Sequence, residues 1–298
     1  MIIDDKLLSP NEKLSFELRK LYDENGYSRF KMSKFEEYQL YAKNKDFLVS
    51  DNIITFTEKN GKLMALKPDI TLSIVKSLKD KSKDINKVYY NESVFRVSKR
   101  TGMYKEITQV GIECIGKVSP KNVEEVVEIA YKTLKTVSDD IILDISHLGI
   151  LEKILGFLTD DKEIQKELLK FIGEKNVNEG IKLLDSDKAE IFGRLVGIYG
   201  SFESQKDNVK SLCKACGALN EFEELCDICE NNDYNVDFSI VSDMKYYNGI
   251  IFKGFVANVP EAVLSGGSYD RLISKMGADG GAIGFALYLD LLERMGEV

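Results

Sequence analysis

Residues 105–114 read Lys-Glu-Ile-Thr-Gln-Val-Gly-Ile-Glu-Cys. Taken as a strand, the period-two alternation places Gln109, Gly111 and Glu113 on one face and Val110, Ile112 and Cys114 on the other. The apolar face asks for a core. The opposite face can line a polar pocket or meet water, since antiparallel sheets commonly keep one solvated side. The preceding run, Lys87–Val97, reads as its antiparallel partner across Arg100-Thr101-Gly102, and Arg96 near its end can grip a carboxylate or phosphate bidentately. An antiparallel sheet with helices before and after it makes the fold class α+β.

Upstream, Ser9-Pro10 with Glu12 forms a capping box, Leu14, Leu18 and Leu21 mark one helical face, and Asn25-Gly26 ends the helix. Tyr27–Met32 reads as a strand. Asn60-Gly61 between Ile53–Glu58 and Leu63–Leu66 predicts a hairpin with a two-residue turn. Pro68 ends its second strand, and Asp69 can cap a helix over Ile70–Leu78. Downstream, a helix is expected from about Asn122 to Val137 and a strand over Ile141–Ile145. About five helical segments then fill 147–232 before strand character returns at Val236–Val241, Gly249–Ala257 and Ala262–Leu264. A final helix is expected from Phe285 to about Arg294. The domain reading is a core of 1–146 and 236–298 interrupted by a helical insertion at 147–235.

The 298 residues include 44% hydrophobic and 30% charged, ordinary for a globular chain with a sizeable core. The net charge of −8 argues against extended contact with nucleic-acid phosphates, and nucleic acid is not an expected partner. No apolar run reaches a membrane span and no secretory signal opens the chain, so a cytoplasmic protein is expected. There is no Walker-type loop and no dinucleotide fingerprint, and no cofactor is expected. Cys213, Cys216, Cys226 and Cys229 form two C-x-x-C pairs. Their central gap is short for a zinc ribbon, and both pairs sit in helix-like sequence where three-residue spacing shares a face. Core thiols are the simpler reading, with no metal expected. The single histidine, His147, lacks a nucleophilic or metal-binding companion and reads as structural.

Three further segments carry polar groups where a ligand can use them. Lys67-Pro68-Asp69-Ile70-Thr71 puts an acid and a hydroxyl at a strand-to-helix turn, able to neutralise an ammonium as well as to cap the helix. Ser265-Gly266-Gly267-Ser268-Tyr269-Asp270 lets backbone approach a ligand closely. Tyr246 and Tyr247, if on a strand, send their rings to opposite sides.

In order along the chain, these segments resemble the catalytic domain of histidyl-tRNA synthetase, a class II aminoacyl-tRNA synthetase. Leu66–Thr71 is similar to its R-P-E-G-T segment, and Val94-Phe95-Arg96 through Glu113 to motif 2 and the strand after it. Lys245-Tyr246-Tyr247-Asn248-Gly249 is similar to D-Y-Y-T-G, Gly266–Asp270 to G-G-R-Y-D, and Ala282-Ile283-Gly284 to the start of motif 3. The resemblance implies a class II synthetase-like antiparallel sheet flanked by helices and a pocket for histidine. Asp69 and Thr71 would hold its α-ammonium, Gln109, Glu113 and Tyr246 or Tyr247 would contact the amino acid or its imidazole, and Arg96 stands where the family contacts the carboxylate and the α-phosphate.

The same resemblance implies lost ATP chemistry. Leu287 stands where the family pattern places the motif 3 arginine, Ser242 where it begins the histidine-specific segment with arginine, and Met103 where the motif 2 loop offers another. Removing cations that stabilise a developing pentavalent phosphate costs on the order of several kcal/mol each in the transition state. The chain also ends soon after motif 3, so no anticodon-binding domain is expected. This combination resembles the short paralogues that act as regulatory subunits of ATP phosphoribosyltransferase, the HisZ type. Membership there implies no catalysis of its own and homodimers assembled with a short catalytic subunit into a hetero-octamer. It also implies histidine as effector of the first step of histidine biosynthesis.

Overall fold

The computed structural model describes residues 7–48, 53–78, 84–98, 101–241 and 246–293. The first helix, α1 (Pro10–Glu24), starts as its capping box requires: Glu12 N–H donates to Ser9 Oγ at 3.3 Å and Ser9 N–H donates to Glu12 Oε2 at 2.9 Å. It is followed by β1 (Ser28–Arg29), β2 (Phe35–Glu37), α2 (Tyr38–Lys43), β3 (Thr55–Thr57), β4 (Leu63–Leu66), α3 (Thr71–Ser77), β5 (Asn86–Val97), β6 (Tyr104–Gly116) and α4 (Pro120–Val137). The strand expected over Tyr27–Met32 is only the two-residue β1, parallel to β5. The β3–β4 hairpin forms, but its loop is one residue longer than expected. Glu58 and Lys62 still bond across it at 2.9 Å, and Gly61 takes a left-handed φ of 83°. That is the three-residue loop with a glycine bulge, a close relative of the two-residue turn.

Chain contacts divide the molecule into a unit of 1–141 with 255–298 and a unit of 142–254. The second comprises all but the first residue of β7 (Ile141–His147), α5 (Leu148–Leu158), α6 (Lys162–Gly173), α7 (Val177–Ile181), α8 (Ser186–Val196), β8 (Tyr199–Ser201), α9 (Phe202–Cys216), α10 (Leu219–Cys229), β9 (Asn235–Asp237) and all but the last two residues of β10 (Ile250–Val256). The helical stretch expected at 147–235 sits inside it, together with flanking strands: β7 lies between β10 and β9, with β8 beyond. His147 is a cap here. Its Nδ1 accepts from Gly149 N–H at the start of α5, and its Nε2 lies 3.1 Å from Glu224 Oε2. Cys213 and Cys229 are buried, Cys216 and Cys226 half-buried, and all are free thiols. Among the described residues no helix is long and apolar enough to cross a membrane.

The first unit is completed by β11 (Leu264–Ser268), α11 (Asp270–Lys275), β12 (Gly281–Tyr288) and α12 (Leu289–Glu293). Its main sheet runs β1-β5-β6-β12-β11, antiparallel except at β1, and a small sheet runs β2-β4-β3. Two expectations change here. Strand β11 begins at Leu264 rather than Ala262 and carries Gly266-Gly267 inside it. The stretch from Phe285 continues β12 to Tyr288 before the helix begins at Leu289. A short apolar run does not separate a strand buried on both sides from a helix, and central placement between β6 and β11 decides it.

The core lies on one side of this sheet. In register, Ile112 faces Tyr89 and Phe285, and Val110 faces Leu287. Tyr22 of α1 packs against Tyr89 and Phe285 with ring centroids 6.0 and 6.2 Å apart, and its hydroxyl meets Thr133 of α4 at 3.2 Å. Val110, Ile112, Cys114, Ile283 and Leu287 are all wholly buried. Each such side chain contributes roughly 1.5–3 kcal/mol by leaving water.

Candidate functional site

The other face of the same sheet holds the polar groups. Cross-strand partners share a face, so Gln109, Gly111 and Glu113 of β6 stand with Glu92, Tyr90 and Val88 of β5. On the far side the same register adds Tyr288, Ala286 and Gly284 of β12, then Ser265 and Gly267 of β11. The centre of this face is shielded from water, with Gln109 and Glu113 4% and 2% exposed, while Glu92, Ser265 and Tyr288 at its margins are half-buried. Two glycines make room for it. A Cβ on Gly284 would run into Glu113 Oε2 and the Ile112 carbonyl, and one on Gly111 into the Phe285 carbonyl and the Tyr90 hydroxyl.

Glu113 is the centre. Thr71 Oγ1 donates to its Oε1 at 2.8 Å and the Tyr269 hydroxyl to its Oε2 at 2.6 Å. Burial nevertheless pushes its pKa up to about 8, because two hydroxyl donors do not replace the hydration of a carboxylate, and Asp69 nearby pushes the same way. A group so tuned takes up or releases a proton near neutrality and offers a strong acceptor to an N–H cation.

Asp69 sits at the turn into α3, its Oδ1 accepting from Leu72 N–H at 2.9 Å. It therefore serves as a cap, while its buried carboxyl is held above the ordinary range by desolvation, offset in part by Leu72 N–H and the Arg96 charge. Arg96 donates its Nε–H to the Pro68 carbonyl at 3.0 Å, fastening the turn to β5. Asp69, Thr71, Arg96, Gln109 and Glu113 are thus brought to one face of one unit. Tyr246 and Tyr247 belong to the other unit, where their rings stack edge to face with centroids 4.7 Å apart.

Of the positions expected to mark lost ATP chemistry, Met103 lies exposed beside the β5–β6 turn and Ser242 falls outside the described residues. Leu287 requires a correction. Its register partner is Val110, so it points into the apolar core on the side opposite Glu113, and an arginine there would not reach the polar face. Leucine at this position is a core residue rather than the trace of a lost phosphate contact.

Four contributing side chains were given no role from the sequence. Tyr269 follows the alternation Ser265-Gly267-Tyr269, which continues the polar face out of β11. Glu92 lies opposite Gln109 and forms an ion pair with the wholly buried Lys67 at 3.2 Å. Ser265 and Tyr288 join their hydroxyls at 2.8 Å on the same face.

Comparison with known proteins places this arrangement. A family model described as histidyl-tRNA synthetase matches residues 6–292. A protein of Clostridium botulinum strain 657 named ATP phosphoribosyltransferase regulatory subunit is 29% identical, over 94% of this chain and 71% of its own length. A histidine–tRNA ligase of Methanocaldococcus jannaschii is 27% identical, over 92% of this chain and 68% of its own. Among solved structures, the ATP phosphoribosyl transferase (HisG:HisZ) complex from Thermotoga maritima contains a chain superposing with a TM-score of 0.70 at 19% identity, covering 93% of this chain and 96% of that one.

Proposed function

The chain belongs to the histidyl-tRNA synthetase family, and on that premise we propose that it is a regulatory subunit of ATP phosphoribosyltransferase, supporting the first step of histidine biosynthesis. The observation that carries the reading is the buried Glu113 with its Thr71 and Tyr269 donors, in a chain whose relatives include regulatory subunits by name.

In this reading histidine is the effector and the inherited face is its site. Glu113 accepts from an N–H of the ligand, Gln109 and Thr71 add neutral hydrogen bonds, Asp69 sits near the α-ammonium, and Arg96 meets the carboxylate. Histidine favours the inhibited assembly and shifts the population toward it, a coupling typically of about 1–3 kcal/mol. The partner is a short catalytic subunit, as the HisG:HisZ composition of the Thermotoga complex suggests, with this chain as a homodimer in a hetero-octamer in the cytoplasm. The subunit carries out no chemistry itself.

The test is reconstitution. Copurification with a short catalytic subunit and a rate that rises with this chain and falls with histidine are expected. A chain that neither associates with that subunit nor changes its rate overturns the reading. The similarity to the Methanocaldococcus ligase favours a second reading, a ligase that still forms histidyl-adenylate. ATP–pyrophosphate exchange with histidine separates the two: exchange by the isolated chain would decide for the ligase.

A further inference from the structure

Lys67 is wholly buried, and its Nζ lies 3.2 Å from Glu92 Oε2, whose side chain is only 14% exposed. A buried ammonium requires a counter-charge. Lysine and partner are also fixed in place. Lys67 N–H donates to the Lys34 carbonyl at 3.0 Å, Phe95 N–H to the Lys67 carbonyl at 2.8 Å, and Arg96 Nε–H to the Pro68 carbonyl at 3.0 Å. Burial pulls the Lys67 pKa below that of an ordinary lysine, and Glu92 works against that pull.

Glu92 pairs with Gln109 in the hairpin, so its carboxylate belongs to the polar face. Among the described residues, the cations of that neighbourhood are four. Lys34 is exposed, with its Nζ 4.0 Å from Glu106 Oε1. Lys67 is neutralised by Glu92. Arg96 has its Nε–H committed to Pro68 and its charge beside Asp69. Lys105, opposite Arg96, is exposed, and its charge is screened by solvent. Against them stand the carboxyls of Glu92, Asp69 and Glu113. A zwitterionic amino acid brings one charge of each sign and can be matched here. A phosphate or pyrophosphate brings two or more negative charges and finds only the half-buried Arg96, already beside Asp69, to meet them.

We propose that Glu92 is a specificity-determining residue: by occupying Lys67 inside the wall of the site, it admits a free amino acid and excludes phosphate-bearing ligands. The proposal rests on the amino-acid reading given above and adds to it. A sensor serving an enzyme that consumes ATP must respond to histidine amid abundant phosphates, and an internal counter-ion achieves that without a steric gate.

The experiment is calorimetric titration of the full chain with inorganic pyrophosphate, ATP and histidine in parallel. The unmodified chain is expected to bind neither phosphate compound at concentrations that saturate it with histidine. Glu92→Gln frees Lys67 while keeping the shape, and pyrophosphate affinity should rise by roughly tenfold or more. The double variant Lys67→Met/Glu92→Gln should lose that gain. Equal pyrophosphate binding by the unmodified chain and Glu92→Gln, or a gain that persists without Lys67, overturns the proposal. Should Glu92→Gln fail to fold, Glu92→Asp withdraws the carboxylate by one methylene. A folded Glu92→Asp chain with no gain in pyrophosphate affinity also overturns it. Absence of histidine binding by the unmodified chain counts against the amino-acid reading instead, so the two failures are distinguishable.

Discussion

Strand β6 presents two buried faces that solve different problems. Val110, Ile112 and Cys114 sit in an apolar layer under α1 and α4, where burial itself stabilises. Gln109 and Glu113, one residue out of phase, are almost as buried, and there burial opposes the native charge state. The neighbours differ accordingly: Phe285 fills space beside Ile112, whereas Gly284 vacates it beside Glu113. Equal burial therefore does not mean equal purpose. One face holds the sheet to its helices, and the other is kept polar at a cost, as expected of a place reserved for a ligand.

Substitutions on the two faces should separate these roles. Ile112→Ala is expected to have the largest effect, about 2–5 kcal/mol of lost stability in denaturant unfolding, by leaving a cavity in the helix-covered layer. A loss under about 1 kcal/mol would mean that this layer is not the main core. Gly284→Ala should cost about 1–3 kcal/mol, since the new methyl must displace the Glu113 carboxylate or β6 backbone. Histidine affinity should fall with it, whereas a variant of Ile112 that remains folded should keep that affinity. Loss of histidine binding in the Ile112 variant with retention in the Gly284 variant would break the comparison outright.

Glu113→Gln removes the titrating group and keeps the shape, at the cost of turning one accepting oxygen into an N–H donor. In the native chain the raised pKa means that the folded state holds the Glu113 proton more tightly than the unfolded state. Its contribution is full below the ordinary carboxylate range and is lost as pH climbs to about 8. Stability should therefore decline across that window with a slope of up to about 1.4 kcal/mol per pH unit. Asp69, also raised by burial, adds a decline of the same sign. Glu113→Gln should flatten the Glu113 part of the profile, measured as unfolding free energy against pH, and should abolish the release of a proton on histidine binding at pH 7. An unchanged profile would show that Glu113 is already ionised in the unliganded site.

The sequence announced these faces unevenly. Local signals carried far: the Ser9–Glu12 capping box, the pairing of the two long strands and the alternation through Gln109–Cys114 all hold. Asp69, Thr71, Arg96, Gln109 and Glu113, named from separate segments, also lie on one face. What stayed hidden depends on register between distant segments. Tyr269 reaches Glu113 across 156 positions and Lys67 reaches Glu92 across 25, and no local pattern reports either. Leu287 was misread because motif spacing ignores face: only the pairing of β12 with β6 shows that the residue turns into the core. Phe285–Tyr288 suffered the related ambiguity of a short apolar run, which suits a helix as well as a doubly buried strand.

The smallest expected effect is the most selective. Tyr269→Phe removes the 2.6 Å donor to Glu113 and no apolar surface, so the sheet should keep its fold. A hydroxyl bonded to a carboxylate stabilises the ionised form, and its loss should move the Glu113 pKa further up from about 8. Since histidine is expected to bind the ionised carboxylate, more free energy is then needed to release its proton near pH 7. Affinity there should drop by a few fold, about 1 kcal/mol, and should recover as pH is raised until Glu113 ionises. The apolar face predicts no such recovery, because a cavity is indifferent to protons. A loss of affinity that is the same at every pH would assign Tyr269 to packing and move it from the polar face of the comparison to the other.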